Sequence, residues 1–208
     1  MEQQTDELIA TGELMELMEN YSAAIQCYRA AVEQAPELSS YGLTIAGLLL
    51  RQGETSAALA EARAAGLAAP DDPDDQYHLA RVLLEVGLRA EAIEAYRRTL
   101  EIEPDHVDAA RFLGELLLHS GAFEQAIDVL RRGLQHAPDA PTAAKFHWLL
   151  GCAFAHLGLR DDAWDAWEAF WAIEDAPLYL QLAARQAVEK HPLFAGGRPT
   201  PPAARKQP

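Results

Sequence analysis

Cys152 and His156 stand four residues apart, the spacing that brings two side chains onto one face of a helix. A thiol and an imidazole so placed could make a thiolate nucleophile or supply two ligands to a metal ion. His119 and His147 are further candidate donors, yet no third ligand stands at a diagnostic metal-site spacing. The 208 residues hold no Gly-x-Ser-x-Gly elbow, no His-Glu-x-x-His pair, no phosphate loop and no Cys-x-x-Cys. No catalytic residue, cofactor or metal is therefore assigned, and a Cys/His metal or thiol site stays as a remote alternative.

A second chemistry belongs to the basic residues. Arg51, Arg81 and Arg111 recur at intervals of 30, and Lys145 lies beyond them. A guanidinium presents paired donors that match a carboxylate, so such a series suits acidic groups of a partner. Glu85 and Glu115 follow Arg81 and Arg111 by four residues, so plain same-helix ion pairs are the competing reading. In that case the apolar side chains of Tyr77, Leu84, Leu118 and Trp148 remain as anchors, types that often dominate interface energy.

The elements that must position these residues follow a 34-residue period. Pro36, Pro70, Pro104 and Pro138 are evenly spaced at that interval. Each follows a helix-like stretch with a small residue and then packing residues: Ala24, Tyr28 and Ala31; Ala58, Ala62 and Ala65; Ala92, Tyr96 and Thr99; Ala126, Leu130 and Gly133. Upstream in each unit lies a paired step: Thr11-Gly12, Ile45-Ala46, Leu79-Ala80, Leu113-Gly114. Such self-similarity marks stacked units rather than a closed globule. On these residues the chain resembles the tetratricopeptide repeat superfamily.

The resemblance implies an all-α, right-handed superhelical solenoid of about five helical hairpins. Repeats are expected at 5–38, 39–72, 73–106, 107–140 and 144–176, with helix breaks near Glu19-Asn20 and at Gly53, Gly87 and Gly121. The fifth repeat is displaced by three residues, since Leu150-Gly151 follows Leu113-Gly114 by 37. Pro141-Thr142-Ala143 is expected to take up that insertion in the loop, and the last second helix to run from Arg160 to Glu174. Residues 177–191 are expected as a capping helix. It lacks the small packing step, because Arg185 stands where one is expected. The small residues Gly12, Ala46, Ala80, Gly114 and Gly151 in the first helices, and Ala24, Ala58, Ala92, Ala126 and Ala163 in the second, are expected to be close-approach points, with large residues opposite filling the gaps. Trp164, Trp167 and Trp171, at i, i+3 and i+7, read as a packing stripe meeting the cap through Leu178, Tyr179 and Leu182.

In the superfamily the first helices line a concave groove that holds peptides or helices. Slot matching places Ile9, Glu13, Gly47, Leu50, Arg51, Tyr77, Arg81, Leu84, Glu85, Arg111, Glu115, Leu118, His119, Lys145, Trp148, Cys152 and His156 there. The resemblance thus implies an adaptor or assembly factor that binds another protein, with the four basic residues stepping diagonally across the groove. The subfamily that clamps heat-shock chaperone C-termini expects Lys, Asn and Asn where this chain has Ile9, Glu13 and Gly47, so that assignment is not made. A homo-oligomeric scaffold or a bacterial secretion-type chaperone is the alternative.

Composition narrows the partners. Net charge is −15, and with Arg198, Arg205 and Lys206 in the tail the body before Ala195 carries −15 − 3 = −18. Such a surface repels nucleic acid and anionic lipid. No apolar run approaches the roughly 20 residues of a membrane span, and the polar, acidic start is not expected to act as a secretory signal. With Cys27 and Cys152 far apart and read as reduced thiols, a cytoplasmic location is expected. Residues 195–208, basic and rich in proline, are expected to be disordered.

Overall fold

The computed structural model describes residues 2–174, 176 and 178–190. Among these residues it contains eleven α-helices, one short 3-10 turn at Pro36–Leu38, and no strand. The expected all-α array of helical hairpins with a C-terminal helix is what forms. The tail 195–208, Pro177 and His191 lie outside the described residues.

The chain divides into two compact units, Met1–Pro104 and Asp105–Pro208. In the first, α1 (Glu2–Leu17) packs on α2 (Tyr21–Gln34), α3 (Tyr41–Arg51) on α4 (Thr55–Ala68), and α5 (Pro73–Glu85) on α6 (Arg89–Ile102). Successive hairpins stack through α2 on α3 and α4 on α5, and the first helices α3 and α5 also touch. In the second, α7 (Val107–His119) packs on α8 (Phe123–Gln135) and α9 (Ala140–His156) on α10 (Arg160–Trp171). There α8 and α7 both meet α9, and α11 (Leu178–Lys190) rests on α9.

Three of the hairpins close on a residue pair sixteen positions apart. A Cβ on Gly12 would lie 2.6 Å from Tyr28 Cε1, and those on Gly114 and Gly151 would run into Leu130 and Trp167. The small residue thus makes the groove that the larger one fills, which is how close helix packing is achieved. In the second hairpin the same slots hold Ala46 and Ala62, both fully buried. The breaks are left-handed residues, for instance Gly121 at φ 81°. Glu19 takes that conformation at φ 58° without being glycine, and Asn20 then caps α2 by accepting from Ala23 N–H.

Three sequence expectations are corrected. Pro141, Thr142 and Ala143 do not lie in a loop: they form the first turn of α9, which has 17 residues against 13 in α7. Asp139 is the reason, because its Oδ1 accepts the Thr142 N–H at 2.7 Å and Pro141 suits the first turn. The α10 helix stops at Trp171 rather than Glu174, its end satisfied by Ala172 N–H donating to Glu168 and Phe170 carbonyls. The C-terminal helix does not meet the array through Leu178, Tyr179 and Leu182, which are 70%, 64% and 53% exposed. Ala176, Leu180 and Ala184 make that contact, against Ala144, Phe170, Trp148, Trp171 and Ile173. Ala184 is the small residue sought at Arg185, one position earlier. The tryptophans also divide: Trp167 is buried, while half-buried Trp164 and Trp171 sit against each other at 5.5 Å between centroids.

Candidate functional site

In the first unit, α5 carries Tyr77, Arg81 and Leu84 at i, i+4 and i+7, one face of the helix. Tyr77 is half-buried and leans towards the buried Tyr96 at 5.9 Å between ring centroids. The exposed Arg81 guanidinium lies 6.0 Å from the Tyr77 ring centroid, and among the described residues no ion pair joins it to Glu85. The face therefore presents a cation over an aromatic ring with the half-buried Leu84 beside it. Arg51, at the end of α3, turns instead to the start of α2: its Nη1 donates to the Tyr21 hydroxyl at 3.4 Å.

In the second unit the ion-pair reading holds for Arg111. It pairs with Asp108 at 3.2 Å and reaches Glu115 at 4.0 Å, with its side chain only 17% exposed. Its guanidinium lies 3.9 Å from the Phe112 ring centroid, and its Nε is buried without a hydrogen-bond partner. Leu118 is half-buried. Lys145 is half-buried near Asp139, whose carboxyl is held below its usual range by the hydrogen bonds from Thr142 and, less, by Lys145. Trp148 stacks on Trp167 at 6.2 Å and tilts against Phe170 at 6.3 Å, so part of this anchor belongs to the core.

The Cys152–His156 pair is not assembled for chemistry. Burial pushes the Cys152 thiol up to about 12, which leaves almost no thiolate near neutral pH. The His156 ring stacks flat on Phe123, with centroids 4.7 Å apart and planes 4° off parallel. His147, on the same helix, is pushed below its ordinary pKa by burial. Among the described residues no group of three or more His, Cys, Asp or Glu is arranged to hold a metal ion.

One feature escaped the sequence reading. Where α3 and α5 touch, an open cleft of about 300 Å³ is lined by Ser40, Tyr41, Leu43, Thr44, Asp75 and His78. Asp72 and Asp75 are both near the start of α5, but only Asp72 caps it, accepting from Asp75 N–H at 3.0 Å. The single legible signal was an aspartate left over after the cap is assigned.

Comparison with known proteins agrees with this architecture. The tetratricopeptide repeat family model matches residues 77–141. No curated protein matches the chain. Among solved structures, MamA is similar over 92% of this chain and 97% of its own, at 17% identity and TM-score 0.70. YrrB, described as a protein with an unusual peptide-binding site, covers 86% of this chain and 90% of its own, at 18% identity and TM-score 0.70. A tetratricopeptide repeat protein from Parabacteroides merdae ATCC 43184 covers 90% of this chain and 73% of its own, at 17% identity and TM-score 0.75. Identities this low speak to fold.

Proposed function

We propose that this chain, whose residues 77–141 match the tetratricopeptide repeat family model, is a non-catalytic adaptor or assembly factor that holds a segment of another protein against its first helices. The observation that carries this reading is the α5 face, where Arg81 lies over Tyr77 beside Leu84 and is not consumed by an ion pair. Arg81 engages an acidic group of the partner, while Tyr77 and Leu84 supply apolar contact. Leu118, Lys145 and Trp148 serve the same role in the second unit. Arg51 and Arg111, already held by Tyr21 and by Asp108 and Glu115, shape the surface more than they bind. The peptide-binding site of YrrB makes the mode reasonable for this fold.

The test is capture from the native extract by the wild-type chain and by Arg81→Glu with Tyr77→Ala. A partner kept only by the wild type supports the reading; a partner kept equally by both removes it from α5.

A second reading, self-assembly as a scaffold, is favoured by the exposed Leu178, Tyr179 and Leu182 on α11. It predicts a mass above one chain in light scattering that Leu182→Asp reduces to one chain.

No helix of the described residues is long and apolar enough to cross a membrane.

A further inference from the structure

Asp75 is a largely buried acid whose oxygens still open on a cleft. It is 5% exposed, yet among the described residues its carboxylate takes part in no hydrogen bond or ion pair. Its neighbour Gln76, 7% exposed, shows the ordinary solution: its Nε2 donates to the Gly66 carbonyl at 3.1 Å and to that of Ala69 at 3.5 Å. A buried carboxylate without such partners is costly, and the cost is normally removed by pairing. Desolvation and the nearby Asp72 and Asp74 raise the Asp75 pKa, and no hydrogen bond offsets them.

The cleft around this carboxylate carries hydroxyl acceptors and, three residues on along α5, the His78 imidazole. Asp75 lines the cleft between α3 and α5 together with the Ser40 and Thr44 hydroxyls and the Tyr41 phenol. Ser40 stands at the start of α3, yet its hydroxyl makes no capping bond there. Thr44 is exposed on the next turn, and Leu43 closes the floor as a buried apolar residue. An ammonium or guanidinium entering here meets a carboxylate and several acceptors, while its aliphatic stem lies on Leu43 and Tyr41. Among the described residues no three-ligand metal grouping includes Asp75. The body's net charge also draws cationic segments towards the surface.

We infer that the α3–α5 cleft is a subsite for a cationic side chain, lysine or arginine, of a bound protein segment, with Asp75 as its counter-charge. The inference rests on the first-helix binding reading and adds a requirement to it: the segment carries a basic residue at one fixed position. Occupancy relieves the isolated carboxylate, so the empty site is a strained one. Replacing the charge with an amide should then make the free protein more stable while it removes recognition.

The full chain and its Asp75→Asn variant are used to select from a randomised peptide display library, and selected peptides are remade with norleucine at each basic position. The inference expects wild-type selections to share a lysine or arginine at one position, with norleucine there weakening binding at least about tenfold. It also expects Asp75→Asn to lose that discrimination, and to melt at a higher temperature than wild type without peptide. Selected peptides without a shared cation overturn it, as does discrimination that survives in Asp75→Asn. A lower melting temperature for Asp75→Asn overturns it too, because the carboxylate would then be structural. If the wild type selects no peptide, the first-helix reading itself fails and takes this subsite with it.

Discussion

The Trp167 indole occupies the space that a Cβ on Gly151 would need, so α9 and α10 meet with a glycine under a tryptophan. Trp148 stacks on the same indole, which ties the half-buried tryptophan to the hairpin's closure. Adding even one methyl at position 151 forces the indole or the backbone to move. Gly151→Ala should lower stability by about 1–3 kcal/mol, read as a shifted urea midpoint with an altered tryptophan emission. An unchanged midpoint would mean that the helices do not approach as closely as described.

The same relationship shows how far the sequence could be read. Repetition singled out the small residues, whereas the sixteen-residue offset that pairs Gly12 with Tyr28, Gly114 with Leu130 and Gly151 with Trp167 is seen only in the structure. The end of the array has no following repeat to reveal which face is covered. Leu178, Tyr179 and Leu182 looked like the packing face of the C-terminal segment, and Ala176, Leu180 and Ala184 are the ones buried. In the functional region, spacing alone allowed Arg81 and Arg111 the same ion pair four residues on. The neighbours decided otherwise: Asp108 and Phe112 hold Arg111, and Tyr77 takes Arg81. Asp75 was illegible because its cleft exists only once α3 and α5 lie together.

The C-terminal helix gives a paired prediction. Leu180 is 8% exposed and Leu182 is 53% exposed. Leu180→Ala should cost about 2–5 kcal/mol by leaving a cavity, whereas Leu182→Ala should stay within about 0.5 kcal/mol. Thermal unfolding of the two variants checks it, and the reverse order would restore the face expected from sequence.

The two arginines should separate into structural and binding roles. Arg111→Ala loses its carboxylate partners and its stacking on Phe112, and should destabilise by about 1 kcal/mol. Arg81→Ala, exposed over Tyr77, should change stability by less than about 0.5 kcal/mol. Denaturant midpoints measure both.

Alkali should weaken the fold through two acids whose native pKa values are raised. Burial lifts Cys152 from 9.0 to about 12, and burial with the Glu16 carboxylate lifts Tyr28 from 10.0 to about 12. Above the unfolded values the unfolded chain sheds these protons while the native chain keeps them, so stability falls as pH rises from about 9 towards 12. Melting temperature followed across that range should decline, and Cys152→Ala should flatten the first part of the decline. The same protonated thiol predicts that Cys152 reacts with a thiol reagent at neutral pH at least about a hundredfold more slowly than an unfolded cysteine.

The central claim is that a partner segment lies on the first helices, with the Tyr77–Arg81–Leu84 face of α5 in contact with it. The most direct measurement is site-specific photo-crosslinking in the native extract, with benzoylphenylalanine placed either at Tyr77 on α5 or at the exposed Glu94 on α6. The account predicts a discrete adduct with another protein from position 77 that is lost on adding Arg81→Glu, and none from position 94. An adduct from position 94 alone, or one from position 77 indifferent to Arg81, would contradict it.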